Sequence, residues 1–176
     1  THHLELSVDA VPLKKIREGL WKPHHAKKLV IHPLRDRRAR LGELVQIDGS
    51  PYDWFEGRAP ACTLLVWIDD ATGRLMELWF AKAETTFSYF EATEHYLLHY
   101  GKPRALYSDK LSVFRVNLPN ALSGTGTTQF TRAMYQLDIE VICANSPQAK
   151  GRVERVNQTL QDRLVKEMRL RGISGM

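Results

Sequence analysis

Cysteine is scarce in this chain of 176 residues, which holds only Cys62 and Cys143. Neither has a second cysteine at CxxC spacing, which argues against a disulfide framework and a cysteine-bound metal. We expect two buried thiols in a reducing compartment. The chain also lacks an apolar run of about 18 residues and a signal peptide, so no membrane span is predicted.

An initiator methionine, internal repeats and low-complexity tracts are absent as well. The start at Thr1 and the end at Met176 indicate a fragment of a longer protein. Hydrophobic residues make up 43% of the chain and charged residues 26%, the balance of a globular domain. A domain of this length needs neither a disulfide nor a structural metal to fold.

Positive charge is concentrated near the N-terminus. The net charge is +5, but residues 1–42 hold ten Lys or Arg against four Asp or Glu, which gives them +6 and the remainder −1. Prolines interrupt this segment, and only Val11 to Trp21 has the pattern of a short helix. We interpret residues 1–41 as a basic N-terminal arm and residues 42–176 as the globular core. Composition alone leaves open a nucleic-acid-binding arm and a solvated linker.

Apolar patterning from residue 42 onward predicts an alternation of strands and helices. Strands are predicted at 44–47, 62–68, 74–80, 104–108 and 139–143, and helices at 85–100, 128–137 and 152–170. The first three strands form an antiparallel meander, and the later strands alternate with helices. The order β-β-β-α-β-α-β-α predicts an α/β fold with a mixed five-stranded sheet and helices on both faces.

Three carboxylates hold comparable places in this pattern. Asp48 follows the first predicted strand and begins a predicted turn that extends to Pro51. Asp109 follows the fourth strand, and Glu154 lies in the first turns of the last helix. Side chains at strand ends beside a helix can converge on one point. Converging carboxylates repel each other unless a cation neutralises them, and all-oxygen ligands suit Mg²⁺ or Mn²⁺. Two such ions can support an in-line displacement at phosphorus.

Each of these acids also has an ordinary interpretation. An aspartate before a glycine is common in turns, and a glutamate early in a helix interacts favourably with the helix dipole. The three acids together on this frame are harder to explain by chance. Three further acids near strands, Asp53, Asp69 and Asp70, are interpreted as turn residues.

The segments around the three acids resemble the catalytic core of DDE transposases and retroviral integrases, which has an RNase H-like fold. The resemblance covers roughly residues 40–170 and rests on GELVQIDGS around Asp48, ALYSDK around Asp109 and NSPQAKGRVERVNQTLQDRL around Glu154. The last segment is the most specific, because insertion-sequence transposases often carry a Pro-x-x-x-Gly-x-Val/Glu-Arg-x-Asn pattern there. Within the group, the chain is most similar to the ISNCY-like branch.

The resemblance implies a polynucleotidyl transferase for DNA integration and transposition. Such an enzyme hydrolyses a phosphodiester at a transposon end and joins the freed 3′ hydroxyl to target DNA. Asp48, Asp109 and Glu154 would ligate two Mg²⁺ or Mn²⁺ ions, with Asp48 bridging them. The predicted DNA contacts are Lys150, Gly151, Arg152, Arg155, Asn157 and Gln158. The family also implies a homo-oligomer that acts on transposon ends and target DNA in the bacterial cytoplasm or nucleoid.

Two departures from the family pattern concern the second acid. Lys110 and Leu111 follow Asp109 where most relatives have Asn-Gly. The 44 residues between Asp109 and Glu154 exceed the spacing of most relatives, which predicts an insertion in the loop Val116 to Thr127. Two alternatives to the transposase interpretation remain: an RNase H-like nuclease that cuts without joining, and a catalytically inactive DNA-binding module.

Overall fold

A computed structural model of the chain describes residues 36–109, 112–114, 127–144 and 151–176, together with Lys15, Arg17 and Glu18. Only the backbone is described for residues 151 and 152. The chain divides into two compact units, Thr1–Pro33 and Leu34–Met176, and the fold below is that of the second unit.

Several sequence predictions lie outside the described residues. They are the helix Val11–Trp21, apart from the three residues named above, the insertion in the loop Val116–Thr127, apart from Thr127, and the position of Lys110.

The described elements follow one another in the order that the sequence predicts. They are β1 (Val45–Tyr52), β2 (Cys62–Asp69), β3 (Leu75–Ala81), α1 (Thr86–Tyr100), β4 (Ala105–Ser108), α2 (Gln129–Gln136), β5 (Glu140–Cys143) and α3 (Gly151–Leu170). Outside β1, these bounds differ from the predicted ones by about one residue at each end, which is the ordinary uncertainty of element boundaries.

The five strands form one mixed sheet in the order β3-β2-β1-β4-β5. β1 pairs antiparallel with β2, and β2 pairs antiparallel with β3. β4 pairs in parallel with both β1 and β5. The predicted mixed five-stranded sheet is confirmed, and β1 is the strand at which the antiparallel and parallel halves meet.

Helices pack on both faces of the sheet. On one face, Ile47 belongs to a buried cluster with Tyr89 of α1 and Phe130 of α2. On the other face, Val66 belongs to a cluster with Val153 of α3. All eight residues of β2 are buried, as expected of a central strand that is covered on both faces. The predicted placement of helices on both faces of the sheet is therefore confirmed.

β1 is longer than the sequence pattern predicts, and here the prediction was wrong. The segment from Asp48 to Pro51 was expected to be a turn, but β1 continues through it to Tyr52 and pairs with β2 along its whole length. The physical reason is that the buried strand β2 needs hydrogen-bond partners for all of its backbone groups. Pro51 is tolerated because β4 ends at Ser108, which leaves the other edge of β1 open at this level.

The start of α1 is set by a capping box. The Thr85 hydroxyl accepts a hydrogen bond from the Ser88 backbone N–H, and the Ser88 hydroxyl accepts one from the Thr85 backbone N–H. The helix ends at Gly101, which has a φ of 77° and donates its N–H to the Leu97 carbonyl. The capping box at Thr85 fixes the end of the loop between β3 and α1, and with it the positions of the loop residues.

The turn between β2 and β3 holds the segment that precedes β1. Asp69 accepts a hydrogen bond from the Gly42 N–H, and Asp70 accepts one from the Arg38 N–H. Asp53 likewise accepts from the backbone N–H four residues further on. Asp53 has the local turn contact that the sequence predicted. Asp69 is the last residue of β2 and also accepts from the Thr72 N–H in the turn that follows, whereas the Asp70 contact joins the turn to a segment 32 residues away.

Both cysteines are free thiols. Cys62 is buried and Cys143 is half-buried. Burial raises the pKa of the Cys62 thiol, and the nearby Asp53 carboxylate raises this pKa further. No helix among the residues that the structure describes has the length and apolar content needed to cross a bilayer.

Candidate active site

Asp48 lies inside β1, and its side chain faces α3. Asn157 Nδ2 of α3 donates to Asp48 Oδ2 at 2.8 Å, and Gln161 Nε2 donates to the Ser50 hydroxyl at 2.9 Å. Asn157 and Gln161 are four residues apart in a helix, and Asp48 and Ser50 are two residues apart in a strand. Both separations are about 6 Å, so the two amides reach two successive side chains on the same face of β1. These hydrogen bonds anchor α3 to the strand that carries Asp48.

Asp109 immediately follows β4, as predicted. The parallel ladder of β1 and β4 pairs Gln46 with Tyr107. Two residues further along both strands, this register sets Asp48 level with Asp109. Residues at one level of neighbouring parallel strands point to the same face, with the strands about 4.8 Å apart. The two aspartates therefore come together where β4 ends and the edge of β1 opens.

Glu154 lies in the first turn of α3 and is exposed. It precedes Asn157 by three residues, so the two side chains occupy neighbouring positions on one helix face. Asn157 contacts Asp48, which means that this face of α3 is directed at β1. The helix therefore carries Glu154 on the side that faces the two aspartates.

Asn157 is the buried polar residue of this contact. Its side-chain carbonyl oxygen, Oδ1, is buried without a hydrogen-bond partner among the described residues. A buried acceptor without a donor costs about 1–3 kcal/mol. A water molecule on a cation beside Asp48 would supply the missing donor. The sequence predicted a DNA contact for Asn157; the structure places its side chain against Asp48, and the DNA contact stays a prediction.

Glu84 is a fourth acid at this edge of the sheet, and sequence reasoning missed it. Its carboxylate lies against the backbone of Gly49, where a Cβ would be only 2.5 Å from the Glu84 carboxyl carbon. The Tyr89 hydroxyl donates a hydrogen bond to Glu84 Oε1 at 2.5 Å. The available signal was Gly49, since a glycine inside a strand often marks the close approach of another group. Interpreting Asp48-Gly49 as a turn concealed that signal.

The pKa of Tyr89 reflects the negative charges around its hydroxyl group. Burial of its hydroxyl raises the pKa of Tyr89 far above the ordinary value, and the carboxylates of Glu84, Asp48 and Asp109 raise this pKa further. All three acids therefore act on a single hydroxyl group. The raised pKa keeps Tyr89 protonated at neutral pH, where its hydroxyl donates to Glu84.

The residues predicted to contact DNA cluster at the start of α3. Lys150 lies outside the described residues, and Gly151 and Arg152 are the first two residues of the helix. Arg155 and Gln158 are exposed. Their exposure on the helix that carries Glu154 is compatible with the predicted role, which stays a prediction.

We call the part of the sheet edge that Asp48, Asp109, Glu154 and Glu84 surround the acid edge. Its oxygen atoms fit a hard divalent cation. They are carboxylate oxygens and one amide oxygen, the type of ligand that Mg²⁺ and Mn²⁺ prefer. A different group, formed by Glu77, His95 and His99, has its ligand atoms within 4.8 Å of one another. In that group His95 Nδ1 lies within hydrogen-bond distance of Glu77 Oε2, at 2.6 Å, which links α1 to β3. Its nitrogen donors set it apart from the acid edge.

Comparison with known proteins adds relatives to this geometry. No protein-family model matches the chain. It is 58% identical over 158 residues to the candidate transposase y4bF of Sinorhizobium fredii, a match that covers 90% of this chain and 34% of that protein. It is 42% identical over 141 residues to the transposase for insertion sequence IS1202 of Streptococcus pneumoniae, which covers 78% of this chain and 30% of that protein. The chain is a homologue of transposases.

This transposase homologue spans about a third of the length of the two relatives. Its fold matches a chain of the simian T-cell lymphotropic virus intasome in complex with PP2A regulatory subunit B56 gamma, with a TM-score of 0.62, 23% identity and coverage of 82% of this chain and 47% of that chain. It also matches the HTLV-2 integrase catalytic core domain in complex with magnesium, with a TM-score of 0.52, 23% identity and 72% coverage of each chain. The predicted RNase H-like, integrase-type fold is confirmed.

Proposed function

We propose that this transposase homologue is the catalytic core of a DDE-type transposase. The observation that carries the proposal is the register of β1 and β4, which sets Asp48 level with Asp109 on one face of the sheet. The anchoring of α3 to Asp48 through Asn157 supports Glu154 as the third acid. Residues 1–41 would serve as a basic arm for this core, and DNA would be its substrate.

In this proposal Asp48, Asp109 and Glu154 would hold two Mg²⁺ or Mn²⁺ ions, the hard cations that carboxylate oxygens suit. Bound ions of this kind stabilise the attacking and leaving oxygens of an in-line displacement at phosphorus. Asn157 keeps the Asp48 carboxylate oriented through its amide N–H. The unpaired Asn157 Oδ1 is suited to accept a hydrogen bond from a water molecule in the site.

The proposed reaction consists of two displacements at phosphorus. In the first, a water oxygen forms a bond to phosphorus at a transposon end, the bond from phosphorus to the 3′ oxygen breaks, and this oxygen leaves as a hydroxyl. In the second, that hydroxyl attacks a phosphodiester of the target DNA and displaces a 3′ oxygen, which takes up the proton. Each step exchanges one phosphorus–oxygen bond for another, so no oxidant or reductant is needed.

The proposed partners are transposon-end DNA, target DNA and further copies of the same protein, in the bacterial cytoplasm. Arg155 and Gln158 would contact DNA from the exposed side of α3. Lys150, Gly151 and Arg152 would do so at the start of the helix, where backbone N–H groups also favour phosphate.

Amide substitutions of the three acids test the proposal. Asp48→Asn, Asp109→Asn and Glu154→Gln should each lower cleavage and joining of end DNA by at least about 10²-fold, the usual effect of removing an electrostatic group from an active site. Asp53→Asn is the matched control, because Asp53 Oδ1 accepts from the Gly57 N–H in a turn outside the proposed site. The measurement uses the full-length protein with labelled end DNA, a plasmid target and Mn²⁺.

The competing functions predict different products in the same assay. Cleavage without joined product would favour an RNase H-like nuclease. DNA binding without turnover or metal dependence would favour an inactive DNA-binding module. Full cleavage and joining by Asp48→Asn would refute the assignment of the site.

A further inference from the structure

Glu84 has a fixed place at the acid edge that the three proposed metal ligands do not explain. β3 ends at Ala81, and Thr85 is the N-cap of α1, so Glu84 is held between a strand and a capped helix. The backbone on both sides of it is thus determined by the fold. Its side chain is delivered to β1 by these two elements.

The Glu84 carboxylate occupies the space beside Gly49 where a side chain would otherwise lie. A Cβ at residue 49 would be 2.5 Å from the carboxyl carbon and 2.7 Å from Oε2. The φ of Gly49 lies outside the left-handed region, so its backbone conformation suits other residues and glycine is needed here for space alone. Glu84 reaches β1 from the α1 side, whereas Asp48 points toward α3.

Tyr89 holds this carboxylate in position. Its hydroxyl donates to Glu84 Oε1, and its ring is fully buried. The aromatic rings of Trp67, Phe114 and Phe130 surround it, with centroid distances of 4.8 to 6.0 Å. Because the ring cannot turn without opening the core, the donor stays directed at Glu84.

Negative charge accumulates at this point of the structure. Glu84, Asp48 and Asp109 all act on the Tyr89 hydroxyl. Like charges so placed oppose folding unless a cation compensates them. An acid that is built into the fold at this point by Gly49 and Tyr89 is therefore explained best by a cation that it helps to bind.

Resting on the proposed function, we infer that Glu84 is a fourth carboxylate of the metal site and that Tyr89 and Gly49 position it. Glu84 approaches β1 from the face opposite Asp48 and one of its oxygens accepts from Tyr89, so it would act on the cation through water molecules and not as a direct ligand. Mg²⁺ and Mn²⁺ keep several waters when they bind to proteins. Groups that hold such waters orient the ions, which makes Glu84 a positioning residue.

Mn²⁺ binding to the full chain tests this inference, with free Mn²⁺ measured by electron paramagnetic resonance. Glu84→Gln removes the charge and keeps the shape, and should raise the Kd for Mn²⁺ by about 10- to 100-fold. Tyr89→Phe removes only the donor, and Gly49→Ala displaces the carboxylate without removing a charge. Both substitutions should also raise the Kd for Mn²⁺.

Glu140→Gln is the matched control. Glu140 is exposed at the start of β5, the opposite end of the parallel strands from Asp109. Its substitution should leave the Kd unchanged. Thermal unfolding without metal should show that Glu84→Gln keeps or raises the Tm, because like-charge repulsion is relieved. Weaker Mn²⁺ binding at an unchanged Tm distinguishes the proposed role from a structural one.

The possible outcomes separate this inference from the proposed function. If Asp48→Asn loses Mn²⁺ while Glu84→Gln binds as tightly as the wild type, Glu84 has no role and the metal site stands. If the wild type binds no Mn²⁺ with or without DNA, the proposed function itself fails. If Glu140→Gln weakens Mn²⁺ binding as much as Glu84→Gln does, the effect is due to net charge alone and the inference is overturned. If Glu84→Gln fails to fold, the Kd for Mn²⁺ is measured on Gly49→Ala, which keeps every charge. An unchanged Kd for Gly49→Ala would then overturn the inference.

Discussion

At the residue scale, single polar groups determine how the acids are presented. Asn157 uses its N–H to orient Asp48 and leaves its buried carbonyl oxygen for a ligand of the site. Tyr89 performs a similar task for Glu84. Both side chains are buried, so their orientations are set by packing and not by solvent.

Asn157→Ala should raise the Kd for Mn²⁺ by about 10- to 100-fold, because Asp48 loses its donor and the site loses an acceptor. The measurement is the same titration of free Mn²⁺. Gln136→Ala, at the exposed end of α2, is the control and should bind Mn²⁺ like the wild type. Equal Kd values for Asn157→Ala and the wild type would exclude a role for Asn157 in the site.

Buried tyrosines also predict how stability depends on pH. Burial, then the charges of Asp69 and Tyr100, raises the pKa of Tyr96 to about 12. Unfolded tyrosines titrate near about 10, so above that pH the unfolded state loses a proton that the folded state keeps. The stabilisation is fully present below about pH 10 and is lost as pH rises toward about 12, by at most about 1.4 kcal/mol per pH unit for each tyrosine.

Urea unfolding between about pH 8 and pH 11 checks this expectation. Tyr96→Phe should show a shallower loss of stability above about pH 10 than the wild type. Tyr135→Phe, at an exposed position of α2, should follow the wild type. A parallel decline for Tyr96→Phe and the wild type would contradict the assignment to Tyr96.

At the element scale, the site depends on the ends of strands and helices. β4 ends at Ser108 and opens the edge of β1, and the capping box of α1 sets the path that delivers Glu84. α3 is fixed along β1 by amides one helical turn apart. The acids thus come from element termini and one open edge, where backbone pairing is incomplete and side chains can meet a ligand.

Thr85→Ala should lower the free energy of unfolding by about 1 kcal/mol, because α1 loses its N-cap. Urea unfolding at neutral pH measures the change. Thr159→Ala is the control: Thr159 is exposed within α3, where its hydroxyl donates to the Arg155 carbonyl of the same helix, and the expected change is within about 0.5 kcal/mol. A loss as large in Thr159→Ala would show that the cap has no special effect.

At the scale of the whole molecule, charge is divided between two segments. Residues 1–42 carry +6 and the rest of the chain −1. If the proposed function holds, the acids of the site would repel DNA phosphates until metal is bound, and a basic segment would supply the attraction that the core lacks. We propose that the basic arm contributes phosphate contacts.

Lys27→Gln/Lys28→Gln should flatten the dependence of log Kd on log salt by about one unit per lost phosphate contact. DNA binding by the full chain, measured from low to high salt, gives the slope. Lys102→Gln is the control, because the Lys102 ammonium lies outside the arm and donates to the Leu137 carbonyl at the surface of the globular unit. A slope unchanged by the double substitution would remove the arm from the interface.

Local patterns in the sequence were sufficient for the order of elements and for Asp48, Asp109 and Glu154 as candidates. Periodicity distinguishes helix from strand over short windows, and motifs such as NSPQAKGRVER carry family information. The same local reasoning misassigned Asp48-Gly49 as a turn. An Asp-Gly pair is common in turns, but a glycine also occurs inside a strand where another group packs closely against the backbone, and the local sequence does not distinguish the two cases.

By itself, then, the sequence determined the fold class, the chain order and which acids to suspect, since these depend on neighbours along the chain. Only the tertiary structure decided that β1 runs through Asp48, that Asn157 meets it from 109 residues away, and that Glu84 lies on Gly49. These contacts depend on sheet register and helix docking. Both are set by burial of the whole core, which no short window of sequence contains.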